Sequence, residues 1–239
     1  MTSPSGTHPP TDRPRDPRGS DRGDRSDEGH EVTDGRVLRA RAQREHRRTQ
    51  LLAAARRVFA AKGYHGASLQ DLLDAGEVSR GTFYQYFDSS RACFAAVLGG
   101  FVDTLRAAIR PVVVPSAVPP REQLIANLER VLALLEADAG LTRLLLQEAR
   151  GADPEFDALL EAFDARILSF ILGAFTTGER LGLVRPCDLA LRASFVLGAL
   201  KEAVSQTLLG HEDARPRAVI AAELLDFALY GVLADGLRL

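Results

Sequence analysis

Residues 68–94 read SLQDLLDAGEVSRGTFYQYFDSSRACF, and this stretch decides the fold. Ser68 is placed to cap a short helix over Leu69–Ala75, and Asp71, three residues on, supplies the acidic half of a capping box. Gly76-Glu77-Val78 is a three-residue turn. Ser79 can cap a second short helix, Arg80–Tyr86, and Ser89 or Ser90 can start the next. Two helices of about seven residues across such a turn have the length grammar of a helix-turn-helix. In that unit the second helix enters the major groove of DNA and its first residues reach base edges. Arg80 suits a guanine edge or a phosphate and Gln85 an adenine edge. Gly81 permits close backbone approach, and Thr82, Tyr84 and Tyr86 carry hydroxyls. Phe83 and Phe87, four apart, claim the buried face and leave Tyr84 outward; Tyr86 fits either side.

Upstream, Leu51, Leu52, Ala55, Val58 and Phe59 recur at helical spacing from Arg47 onward, and Gly63 is the expected stop. Before that helix, residues 1–35 have almost no apolar side chains and are expected to lack structure, with the unstructured arm reaching residue 46. Residues 36–62 hold nine basic side chains (Arg36, Arg39, Arg41, Arg44, Arg47, Arg48, Arg56, Arg57 and Lys62) against one acid, Glu45. Residues 100–239 hold 14 basic and 19 acidic groups. A basic front on an acidic body fits a polyanion partner at one end; a solvated arm that touches nothing fits the same charges.

Downstream, Phe94, Val97, Leu98, Phe101, Val102, Leu105 and Ile109 continue a fourth helix, which Pro111 and the Val-Pro-rich stretch to Pro120 end. Helices are expected over about 121–137, 141–150, 154–179, 188–209 and 215–234. No segment alternates with the period of a strand, so the chain reads as all-α.

The run Arg48–Phe59, then Gly63-Tyr64, Ala67-Ser68-Leu69 and Val78–Phe87, resembles the DNA-binding domain of TetR-family transcriptional regulators. The resemblance covers about residues 47–94. It implies an N-terminal three-helix reader domain (47–92) and a helical C-terminal domain (93–239) for effector binding and dimerisation. It implies DNA contacts from Arg47, Arg48, Ser68, Ser79, Arg80, Gly81, Thr82, Tyr84, Gln85, Tyr86, Ser89 and Ser90. Two positions depart from the family pattern. Glu77 stands where a glycine usually precedes the valine, so Gly76 or Glu77 must take the left-handed conformation. Ser90, followed by Arg91, stands where a lysine is common.

For the body, the resemblance implies a ligand cavity and a homodimer interface. Phe101, Leu105, Phe163, Phe170 and Phe195 are the candidate ligand-binding residues, and plain core packing accounts for the same phenylalanines. The last two helices carry Leu189, Ala193, Val196, Leu197, Leu200 and Val204, then Val219, Ala222, Leu225, Phe227, Leu229 and Val232. These fit a four-helix bundle across a twofold axis, or closure of one subunit's own core.

Enzyme readings find little. There is no nucleophile elbow, phosphate loop or dinucleotide fingerprint. His211-Glu212-Asp213 is the one conceivable metal cluster, and adjacent ligands in a loop are ordinarily solvated. Cys93 and Cys187 form no CxxC pair and fit a core residue and a loop thiol. No cofactor or metal is expected. With a polar N-terminus and no apolar run of about 18 residues, neither a secretory signal nor a membrane span is expected, and the location implied is cytoplasmic. The sequence reads most directly as a ligand-responsive regulator, a repressor on a palindromic operator released by a largely apolar effector. The alternatives are an activator of the same fold and an all-α interaction module without DNA binding.

Overall fold

The computed structural model describes residues 28–147, 151, 153–207 and 215–230. Among them it has nine helices and no strand: α1 (Glu28–Gly66), α2 (Leu69–Gly76), α3 (Arg80–Tyr84), α4 (Ser90–Ala108), α5 (Pro120–Ala137), α6 (Ala139–Gln147), α7 (Pro154–Arg180), α8 (Leu189–Thr207) and α9 (Arg217–Tyr230). The all-α expectation holds, and so do the approximate positions of the helices. Residues 1–27 and the His211-Glu212-Asp213 cluster lie outside the described residues.

The chain divides into two units, residues 1–45 and 46–239. In the first, residues 28–45 are helical, and side chains from Arg36 onward are exposed, Val37 and Leu38 included. This corrects the expectation that the arm lacks structure to residue 46. The stretch is rich in Arg, Ala, Gln and Glu, all strong helix formers. A helix that buries nothing leaves no apolar period to read, so propensity alone marks it.

In the second unit α1 turns Leu51, Ala54, Ala55 and Phe59 inward, each at most 3% exposed. Gly63 ends the regular helix at φ 73, the left-handed region where a Cβ is strained. A single apolar core runs from these residues through Leu72, Leu73, Phe83 and Phe87 to Phe94, Phe101, Leu141, Phe156 and Leu160. It therefore passes without a break along α4 into α6 and α7. A second, smaller core of Leu132, Val204, Ile220 and Ala221 joins α5, α8 and α9.

The connection after α4 is held by side chains of α5. The buried Asn127 brackets Arg110: its amide donates to the Arg110 carbonyl (2.9 Å) and its oxygen accepts from the Arg110 N–H (2.8 Å). One turn earlier, Gln123 does the same to Val113, at 2.9 and 3.1 Å. An extended segment without a sheet partner thus satisfies its backbone groups against a helix.

Candidate nucleic-acid interface

The turn chemistry of α2 and α3 is built from locally fixed hydrogen bonds. Ser68 Oγ accepts from Asp71 N (3.2 Å), while Asp71 Oδ2 accepts from both Ser68 N (2.9 Å) and Ser68 Oγ (2.8 Å). The capping box is complete, and Lys62 Nζ adds a 2.5 Å ion pair to the other Asp71 oxygen. That hydrogen bond from Lys62, followed by those from Ser68, holds the Asp71 carboxyl down at about 2.

At the end of α2, Glu77 takes the left-handed conformation (φ 50, ψ 49) and donates to the Asp74 carbonyl. Gly76 has a different duty. A Cβ there would lie 2.7 Å from Leu51 Cδ2, so the missing side chain is what lets α2 close on α1. Arg47 reaches across and donates to the Glu77 carbonyl at 3.2 Å. The question of which residue makes the turn is thus answered: Glu77 supplies the backbone angle and Gly76 the space.

Ser79 caps α3, accepting from Thr82 N at 3.1 Å, with the two hydroxyls 3.0 Å apart. Phe83 and Phe87 are buried with their rings 5.5 Å apart, and Arg48 lies over Phe87 at 5.6 Å. Opposite them Arg80, Gly81, Tyr84 and Gln85 are exposed. Tyr84 is 47% exposed and sets its ring edge-on to Phe83. Tyr86 is half-buried against the core, which resolves its two possible placements. The helix is shorter than Arg80–Tyr86: Gln85 caps it, and Tyr86 and Phe87 both donate back to the Phe83 carbonyl. Ser89, not Ser90, is the cap of α4, accepting from Ala92 N at 3.0 Å. The expected contact residues therefore fall into two sets. Arg80, Gly81, Tyr84 and Gln85 form an outward face, while Arg47, Arg48, Ser68, Ser79, Thr82 and Ser89 already make bonds or ring contacts that shape the unit, and Ser90 begins α4 half-buried.

In the body, the structure brings some of the expected ligand residues together and separates others. Phe101 and Phe163 stack at 6.4 Å, nearly parallel, and Phe170 lies under the Arg106 guanidinium at 5.4 Å. Leu105 is buried beside them on α4. Phe195 is 61% exposed on α8 and joins none of these ring contacts. Phe156, at the start of the same seven-residue stripe as Phe163 and Phe170, is fully buried instead among Tyr64, His65 and Phe94. Sequence reasoning missed this plug and missed Arg56, which bonds Asp138 and covers Phe101 at 5.1 Å. Partners 82 residues apart leave no signal in a local pattern. Burial pushes the Cys93 thiol up to about 12, so it carries no thiolate for catalysis at neutral pH. Among the described residues no group of His, Cys, Asp and Glu is arranged to hold a metal, and no helix is long and apolar enough to cross a membrane.

Residues 51–97 match the model of bacterial regulatory proteins, tetR family. The chain is 33% identical over 118 residues to the transcriptional activator FasR of Mycolicibacterium smegmatis, which covers 49% of this chain and 53% of the activator. It is 28% identical over 160 residues to the transcriptional repressor DhaR of a Mycobacterium species, covering 66% of this chain and 80% of the repressor. The fold is similar to the crystal structure of the regulator FadR from Bacillus subtilis in complex with stearoyl-CoA. That match has a TM-score of 0.63 at 20% identity over 77% of this chain and 99% of the other. All three are regulators rather than enzymes.

Proposed function

This chain belongs to the tetR family of bacterial regulatory proteins, and from that premise we propose that it is a homodimeric repressor whose α3 reads an operator and whose body senses a largely apolar small molecule. The observation that carries this reading is the outward face of α3. Arg80, Gly81, Tyr84 and Gln85 are exposed while Phe83 and Phe87 anchor the opposite face. That is the arrangement a recognition helix needs to enter a major groove without unfolding its own support.

Dimerisation is supported by the outer faces of α8 and α9. Leu191, Phe195, Val219, Phe227 and Tyr230 are 45–65% exposed on these two helices. Large apolar side chains grouped on one surface are characteristic of an interface. A dimer also supplies the spacing: two recognition helices about 34 Å apart meet successive major grooves. An effector that prefers another spacing lowers operator affinity by its differential binding, which is why we read the chain as a repressor. The Phe101–Phe163 stack with Phe170 beside it supports an apolar effector, and stearoyl-CoA on the Bacillus regulator is a ligand of that chemistry.

The test is a mobility shift with operator fragments selected from random duplexes. A specific shift with two symmetric half-sites is expected. Binding that is independent of sequence, with a monomer at micromolar concentration, would sink the proposal in favour of an interaction module. A shift that the effector strengthens makes the chain an activator.

A further inference from the structure

Three arginines meet at the end of α4 with no carboxylate to balance them. Arg106 lies in the last turn of α4, Arg110 two residues beyond its end, and Arg130 on α5. Arg130 Nε donates to the Ala108 carbonyl at 2.9 Å, and its Nη2 donates to Asn127 Oδ1, the same oxygen that receives the Arg110 N–H. The three residues therefore sit within about one helical turn of each other. Neighbouring acids are occupied or turned elsewhere. Asp103 pairs with Arg166, Asp226 with Arg121, and Glu129 lines a cleft with Glu136, Thr207 and Arg217. Among the described residues no ion pair reaches Arg106, Arg110 or Arg130. The carbonyls at the end of α4 offset part of this charge, but one helix terminus balances about half an elementary charge, not three.

The aromatic residues give the patch a direction. Arg106 covers Phe170, and Phe163 lies seven residues back along α7, stacked on Phe101. Seven residues of helix span about 10 Å. Half-buried Ile167 lies between them in sequence and packs against the same core. An apolar rail about 10 Å long thus ends at three guanidinium-bearing residues.

Resting on the apolar-effector reading above, we propose that Arg106, Arg110 and Arg130 form an anion subsite, and that the effector is amphipathic: an apolar tail along Phe101, Phe163 and Phe170 with a carboxylate or phosphate head at the arginines. Guanidinium groups bind both heads in the same forked geometry. The head fixes which way the ligand lies, and a neutral molecule of equal length lacks that anchor.

Calorimetric titration of the full-length protein with dodecanoate, dodecanoyl-CoA, dodecanol and coenzyme A alone tests this, with operator binding measured in parallel. At least one anionic amphiphile should bind tenfold or more tighter than dodecanol, and whichever of the two is tighter identifies a carboxylate or a phosphate head. Arg106→Gln with Arg130→Gln should remove that preference, leaving dodecanol affinity and ligand-free operator binding unchanged. Arg106→Gln alone should remove part of it, and this side chain makes no hydrogen bond among the described residues, so the α4 end stays capped. Equal binding of dodecanol and dodecanoate, or variants that weaken all ligands alike, would overturn the anion subsite while leaving the apolar effector standing. If coenzyme A binds as tightly as its ester, the tail contributes nothing and the amphipathic proposal fails. No binding by any of the four, with operator binding intact, removes the apolar-effector reading as well.

Discussion

The outward face of α3 and the outward faces of α8 and α9 are both exposed, yet they are built from opposite chemistry. On α3 the exposed residues are Arg80, Gly81, Tyr84 and Gln85, and every large aliphatic or phenylalanine side chain of the reader is turned inward. On α8 and α9 the exposed residues include Leu191, Phe195, Val219, Phe227 and Tyr230. The first surface is stable in water and exchanges solvent for phosphates and base edges. The second leaves apolar area in water that burial against a like surface would remove, at about 25 cal/mol per Å². A monomer can fold its reader, but it leaves the α8–α9 face unfinished.

Four perturbations separate these two surfaces, and a fifth tests the turn between the reader helices. The largest effect is expected inside the reader. Phe83→Ala empties a site that is 1% exposed and should cost about 3–5 kcal/mol, read as a loss of thermal stability and of operator binding together. Next is the apolar face. Phe195→Glu with Phe227→Glu leaves the subunit folded by circular dichroism but should weaken self-association by a factor of about 30 or more, about 2 kcal/mol, in sedimentation. Leu225→Glu should behave differently, unfolding the subunit, because Leu225 is only 7% exposed within its own chain. An unchanged sedimentation profile for the double variant would break the comparison, since the exposed face would then have no partner.

Smaller effects refine the reader. Arg80→Ala should cost about 1–3 kcal/mol of operator affinity and relax the preference at one base position, with no change in melting temperature. If affinity falls equally on all sequences, Arg80 holds a phosphate and not a base. Glu77→Gly relieves a left-handed residue and should stabilise the protein by up to about 1 kcal/mol, partly offset by the freer unfolded chain. Arg47 keeps its bond in that variant, because it uses the Glu77 backbone carbonyl. The smallest effect follows acid. Asp71 is depressed to about 2 from 3.8, so its contribution is complete above pH 4 and is lost as pH falls toward 2. Acid unfolding followed in the wild type and in Asp71→Asn should differ only in that window.

Much of the reader was legible because its determinants are local. Ser68 and Asp71, Ser79 and Thr82, and Ser89 and Ala92 are each three residues apart, and that spacing suffices to place a cap. Phe83 and Phe87 sit on one face for the same reason of helical period. The sequence by itself thus determined the helices of the described body, the caps, and which side of α3 faces out. It did not determine whether Gly76 or Glu77 makes the turn, because Gly76 answers to Leu51, on another helix. Nor did it distinguish Phe156 from Phe163 and Phe170, or show that Phe195 is exposed. Those outcomes depend on which helix lies opposite, and so does the bond of Arg56 to Asp138. A hydrogen bond between residues three apart is fixed by the backbone that joins them. A contact between residues 82 apart exists only once packing has chosen the neighbour, and many apolar patterns are compatible with many neighbours.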